Sequence, residues 1–135
     1  MKNKLKILST GLALALTICL FAACGSGGVT LAGAKLALEE AGCTVETVQK
    51  SELPATFDDH QDNIKSAYLV TKGAANDIYL VEFNSTDDAV DAYTSIASNK
   101  QRAGFLIMHT VSAVNEAGDH KTAWDAFTEY ANSMS

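Results

Sequence analysis

The sequence predicts an α+β domain, a small antiparallel sheet with helices on one face, preceded by a signal peptide that is cleaved. Three observations carry that expectation. Two runs rich in β-branched and aromatic residues, 66–72 (SAYLVTK) and 78–84 (IYLVEFN), flank a glycine-containing connection and read as an antiparallel hairpin. A capped run with apolar residues at helical spacing follows directly, from Ser85 to about Lys100. A second such run, with Ala123, Trp124, Phe127, Tyr130, Ala131 and Met134 on one stripe, closes the chain. A sheet and helices of this kind bury their apolar faces against one another in layers.

The elements follow in order. Residues 1–23 form a leader: Lys2, Lys4 and Lys6, then an uncharged run from Ile7 to Ala23. A positive head, an apolar middle and small residues at the end define a secretory signal peptide. The core 12–20 is shorter than the roughly 20 apolar residues of a membrane span, although counting from Ile7 brings a retained anchor close as the alternative. Ala22-Ala23-Cys24 resembles the lipobox of bacterial lipoproteins, with Phe21 where that family more often has Leu. The resemblance implies cleavage between Ala23 and Cys24 and lipidation of the Cys24 thiol. The protein would then be held on the extracellular face of the cell membrane through that lipid. Two or more acyl chains anchor stably where a single chain is marginal. Gly25-Ser26-Gly27-Gly28 reads as a flexible tether, so the domain is expected over 30–135 and the tether over 24–29.

Thr30 is placed to cap a first helix whose stripe is Leu31, Ala34, Leu38 and Ala41, stopped by Gly42. Residues 43–48 (CTVETV) alternate briefly and read as a short strand or an extended exit. Residues 49–63 are polar, contain Pro54, the one proline, and read as a loop. In the hairpin, Tyr79, Val81 and Phe83 share one face. Ile78, Leu80 and Glu82 share the other, which is expected to be less completely buried. Ser85, with Asp88 three residues on, starts the second helix. Residues 103–114, with the apolar core Phe105–Val111, read as one strand, with a helix as the alternative. A turn at 115–118 follows, and Asp119 is placed to cap the last helix.

Composition narrows the function classes. Removing residues 1–23 leaves 112 residues, enough for one core. The leader holds three of the ten basic residues and none of the sixteen acidic ones, so the remainder carries seven against sixteen, a net charge of −9. Nucleic acid, which demands a positive surface, is excluded as a partner. Cys19 leaves with the leader and Cys24 is the lipidation site, so Cys43 has no disulfide partner.

Candidate chemistry is sparse. Asp58, Asp59, His60 and Asp62 gather three carboxylates and an imidazole within five residues. Oxygen donors of that kind suit calcium, and the imidazole would shift preference toward zinc. The spacing matches no EF-hand loop, and acid-rich loops are commonly solvated turns. His109 inside an apolar run reads as a satisfied core or edge residue. Trp124 reads as the anchor of the last helix, with ligand stacking as the alternative. Phosphate-binding glycine loops, GxSxG, HExxH and CxxC are absent from the sequence, and no cofactor is implied. The expectation is a non-enzymatic binding or accessory module of the cell envelope. The alternatives are a metal-dependent module or enzyme built on the Asp58–Asp62 loop, and a subunit of an envelope assembly.

Three stretches, AGCTV at 41–45, IYLVEFNS at 78–85 and TDDAVDAY at 86–93, resemble small, uncharacterised lipoproteins of Gram-positive bacteria with a ferredoxin-like layout. The resemblance implies that layout and a further strand before the last helix. It brings no catalytic residue.

Overall fold

A computed structural model describes residues 28–114 and 118–134. The expected leader, the expected cleavage and lipidation site at Ala23 and Cys24 and most of the expected tether lie outside the described residues. The elements are α1 (Leu31–Glu40), β1 (Thr44–Val48), β2 (Ile64–Lys72), β3 (Ala75–Phe83), α2 (Thr86–Ser95), β4 (Lys100–Ala103), β5 (Leu106–Thr110) and α3 (Asp119–Ser133). Two 3₁₀ segments, Lys50–Glu52 and Ala55–Asn63, lie between β1 and β2. The strands form one sheet in the order β1-β2-β3-β5-β4, every neighbouring pair antiparallel. The fold class is therefore α+β with a five-stranded antiparallel sheet.

Two expectations about its layout are corrected. A ferredoxin-like chain alternates β-α-β-β-α-β, whereas here β1, β2 and β3 follow one another, and two strands separate α2 from α3. The helices also cover both faces of the sheet. Ala34 and Leu38 of α1 and Ala123 and Phe127 of α3 pack with Val70, Ile78, Leu80, Leu106 and Met108 on one face. Ala89, Ala92 and Ile96, with Leu53 and Phe57 from the 3₁₀ segments, pack with Ile64, Ala67, Val81, Phe83 and Ile107 on the other. The cause is visible in β3: Ile78, Leu80 and Val81 are fully buried and Phe83 is 1 % exposed, so neither face can be left to water. The face carrying Ile78 and Leu80, expected to be the wetter one, is closed by α1 and α3.

Local chemistry explains the ends of the elements. Thr30 caps α1, its Oγ1 accepting from the Gly33 N–H at 2.9 Å. At the other end Gly42 adopts φ +96°, its N–H reaches Glu39 O, and the Cys43 N–H reaches Leu38 O. This pair of bonds is the Schellman stop, and its apolar contact is Leu38 with buried Cys43. Ser85 caps α2 through the Asp88 N–H at 3.1 Å. Asp119 does not cap α3; Gly118 holds that position, and Asp119 Oδ2 accepts from the Ala74 N–H at 3.1 Å. That bond pins the two-residue β2–β3 turn, which is tighter than the 73–77 connection expected.

Three further boundaries differ from expectation. β1 is a true strand, paired with β2 from Thr44 to Val48. The 49–63 loop is largely 3₁₀ and contributes a core side chain, Phe57. α2 ends at Ser95 rather than near Lys100: extended backbone at Ile96 drops that side chain into the core, and Asn99 then turns with φ +55°. Residues 100–103 become β4, so the single strand expected over 103–114 is the second half of a hairpin turning at Gly104 and Phe105.

Val29, assigned to the tether, already packs on the core and lies beside Gly104. The folded body is closed there by Tyr130, whose hydroxyl accepts from the Thr30 N–H at 2.8 Å and donates to Thr30 O at 3.1 Å. Gly33 makes room for that ring: a Cβ at Gly33 would stand 2.5 Å from the Tyr130 hydroxyl. Alanine normally favours a helix interior by about 1 kcal/mol over glycine. Gly33→Ala is nevertheless expected to destabilise by about 1–2 kcal/mol, through loss of the Tyr130 bonds. In a Tyr130→Ala background the same change should stabilise. Denaturant unfolding of the four chains in a double-mutant cycle checks the sign reversal.

Candidate functional site

The residues weighed as an alternative metal site, Asp58, Asp59, His60 and Asp62, lie in sequence along one segment. Asp58, Asp59 and Asp62 are exposed along the second 3₁₀ segment, and His60 Nε2 is hydrogen-bonded to the Ser95 hydroxyl at 2.9 Å. Among the described residues no group of three or more His, Cys, Asp and Glu side chains is placed to hold a metal ion. A 3₁₀ turn spreads successive side chains around its axis, so neighbours in sequence need not share a centre. Cys43 is buried at the α1–β1 junction, where desolvation pushes its thiol up, against a smaller opposing pull from Lys72. Burial and a raised pKa both disfavour the reactive thiolate.

A Ser/Asp/His set does assemble, from residues 35 and 43 positions apart. Asp77 of β3 accepts from both the N–H and the hydroxyl of Ser112 and from His120 Nε2 at 2.6 Å. A hydrolytic triad needs the imidazole between hydroxyl and carboxylate. Here the carboxylate stands in the middle, so the serine hydroxyl is held by Asp77 and not activated by His120. Burial alone would raise the Asp77 carboxyl, but the Ser112 and His120 hydrogen bonds outweigh it and hold the group below the ordinary carboxylate range. The set is a lock tying the segment after β5 and the first turn of α3 to β3.

The concave surface with binding chemistry lies beside this lock. It is an open groove of about 690 Å³ between the α2–β4 corner, the segment after β5 and one face of α3. Ser98, Asn99 and Lys100 line one wall, and Lys121, Trp124 and Asp125 the other. Gln101 ties two of the lining residues of α3 to β4: its amide donates to Trp124 O at 3.0 Å while its oxygen accepts from the Thr128 hydroxyl at 2.7 Å. Lys100 Nζ donates to Tyr93 O at 2.8 Å and stands 4.3 Å above the Tyr93 ring. Lys121 reaches both carboxylate oxygens of Asp125, at 2.7 and 2.8 Å.

The corner itself is built by Asn99. Its carbonyl accepts from the Thr110 N–H at 3.0 Å and is bonded by His109 Nδ1 at 3.1 Å. His109 also meets Phe57 edge-on, with ring centroids 5.8 Å apart. It is thus the satisfied, half-buried histidine expected from its apolar run. Trp124 packs on the core as expected and also lines the groove. Sequence reasoning missed Ser98-Asn99-Lys100, read as the tail of a helix. The available signal was Asn99 itself, a residue that tolerates the left-handed conformation at a chain reversal.

No helix among the described residues is long and apolar enough to cross a membrane. No family model matches the chain, and neither a curated protein nor a solved structure shows significant similarity to it.

Burial lowers the His109 pKa, outweighing the pull of the Asn99 carbonyl in the other direction. A histidine titrating lower in the folded than in the unfolded chain contributes stability that is present above about pH 6.5 and is lost as pH falls toward the folded value. Thermal stability should therefore begin to fall below about pH 6.5. His109→Gln should flatten that part of the profile in a series of melts. Asp77, also depressed, adds a second loss below about pH 4, which Asp77→Asn should remove.

Proposed function

We propose that the chain is a membrane-tethered, non-enzymatic binding module of the cell envelope, carried on the extracellular face by lipid on Cys24 and binding through the groove at the α2–β4 corner. One observation carries the reading: the tether attachment and the groove lie at opposite ends of the β4–β5 hairpin. Val29 lies against Gly104 at the turn, while Lys100, paired with His109, begins the far end. Four residue steps separate Gly104 from Lys100, about 13 Å. On α3, Tyr130 holds the tether end, and the groove-lining residues run back from Thr128 through Asp125 and Trp124 to Lys121. A lipid at Cys24 would bring the Gly104 end toward the bilayer and leave the Ser98–Lys100 wall of the groove at the far end of the hairpin. The lipobox-like Ala22-Ala23-Cys24 and the glycine-rich run after it supply the anchor in this reading.

Cys24→Ser in the full-length chain, expressed in a bacterium that processes lipoproteins, tests it. The variant should stay unprocessed or leave the membrane fraction, with the lipid mass absent from the intact protein. Unchanged mass and unchanged location would contradict the anchor.

A further inference from the structure

We infer that the groove takes an anionic sugar. The inference rests on the reading of the groove as the binding face and names its ligand class. Its basis is an imbalance of hydrogen-bonding groups. Ser98, Asn99 and Trp124 line the groove, and among the described residues the Ser98 hydroxyl, the Asn99 side-chain amide and the Trp124 indole N–H have no hydrogen-bond partner. The Lys100 ammonium spends one of its three N–H groups on Tyr93 O. The carboxylate on the opposite wall, Asp125, is taken up by Lys121. Ser98 and Asn99 can both donate and accept, whereas Trp124 and Lys100 only donate, and among the described residues Lys100 is an ammonium with no carboxylate partner, so the wall leans toward donors and positive charge.

The complement is a ligand rich in oxygen acceptors that carries one anionic group for Lys100. Trp124 adds a flat apolar surface beside those donors, suited to the C–H face of a ring. An anionic pyranose combines all three features, and both a sugar carboxylate and a sugar phosphate present them. The charge setting sharpens the choice. The chain without its leader is strongly acidic, so an anion is disfavoured over the protein as a whole and meets the Lys100 ammonium at this corner. Asn99 fixes the geometry: its φ of +55° and its doubly bonded carbonyl hold the neighbouring Ser98 and Lys100 against the groove.

The full-length chain in detergent is titrated with glucuronate, glucose 6-phosphate and neutral glucose. Trp124, the one tryptophan in the sequence, reports by its emission, and equilibrium dialysis with labelled sugars reports independently. At least one anionic sugar should bind saturably while glucose does not, and the stronger of the two identifies the anionic group. Lys100→Gln should weaken binding about tenfold. Asn99→Gly, which keeps the left-handed backbone and removes the amide, should weaken it without lowering the melting temperature. No saturation by either anion below about 10 mM, equal binding of glucose, or unchanged affinity in Lys100→Gln overturns the inference. Such a failure leaves the anchor to the Cys24→Ser experiment, so the two readings fall separately.

Discussion

The burial of β3 on both faces is the constraint on which the rest of the structure depends. Ile78 and Leu80 point to one side and Val81 and Phe83 to the other, and all four are removed from water. A strand of this kind must be central, because its side chains need cover above and below and its backbone needs partners on both edges. It receives β2 on one edge and β5 on the other. Cover comes from α1 and α3 on one side and from α2 with the 3₁₀ segment around Phe57 on the other. Cys43, the one cysteine among the described residues, is free, so the stability of the described body rests on these two apolar layers.

That arrangement also sets where binding chemistry can sit. α2 must cross from the end of β3 to the start of β4, and it must do so while lowering Ile96 into the core. The chain then reverses at Asn99, whose carbonyl is drawn in by His109 and by the Thr110 amide. A corner built this way leaves Ser98, Asn99 and Lys100 lining the groove that α3 closes on the other side, with the Lys100 ammonium resting on Tyr93. The Asp77 lock performs the matching task across the groove, fixing the segment after β5 and the start of α3 to the central strand. The groove is thus framed by two rigid junctions, each ultimately secured to β3 or its partner β5.

Much of the fold was legible in the sequence because local chemistry and tertiary structure agree. Thr30, Gly42 and Ser85 act as the caps and stop that their types suggest, and the 66–84 run forms its hairpin. The sequence misled where local preference was weak. Lys100–Ala103 carries no β-branched or aromatic residue, so β4 exists by pairing with β5 and not by propensity. The polar run around Phe57 hid a core plug, because one aromatic side chain is too little to give a periodic signal. The one-face expectation failed because alternation in a buried strand says which residues share a face, not whether the second face is dry. The acid-rich 58–62 stretch looked most like chemistry and converges on nothing. The groove joins Ser98–Lys100 to Trp124 across more than twenty residues, a proximity that no local pattern encodes.

Amide hydrogen exchange under native conditions tests the central claim most directly. If β3 is the element on which the other layers close, the amides from Ile78 to Val81 should exchange only through global unfolding. Their free energy of exchange should match that from denaturant melts, while amides at the outer edges of β1 and β4 exchange through smaller openings. Exchange of the β3 amides ahead of those in β1 or α1 would contradict the account.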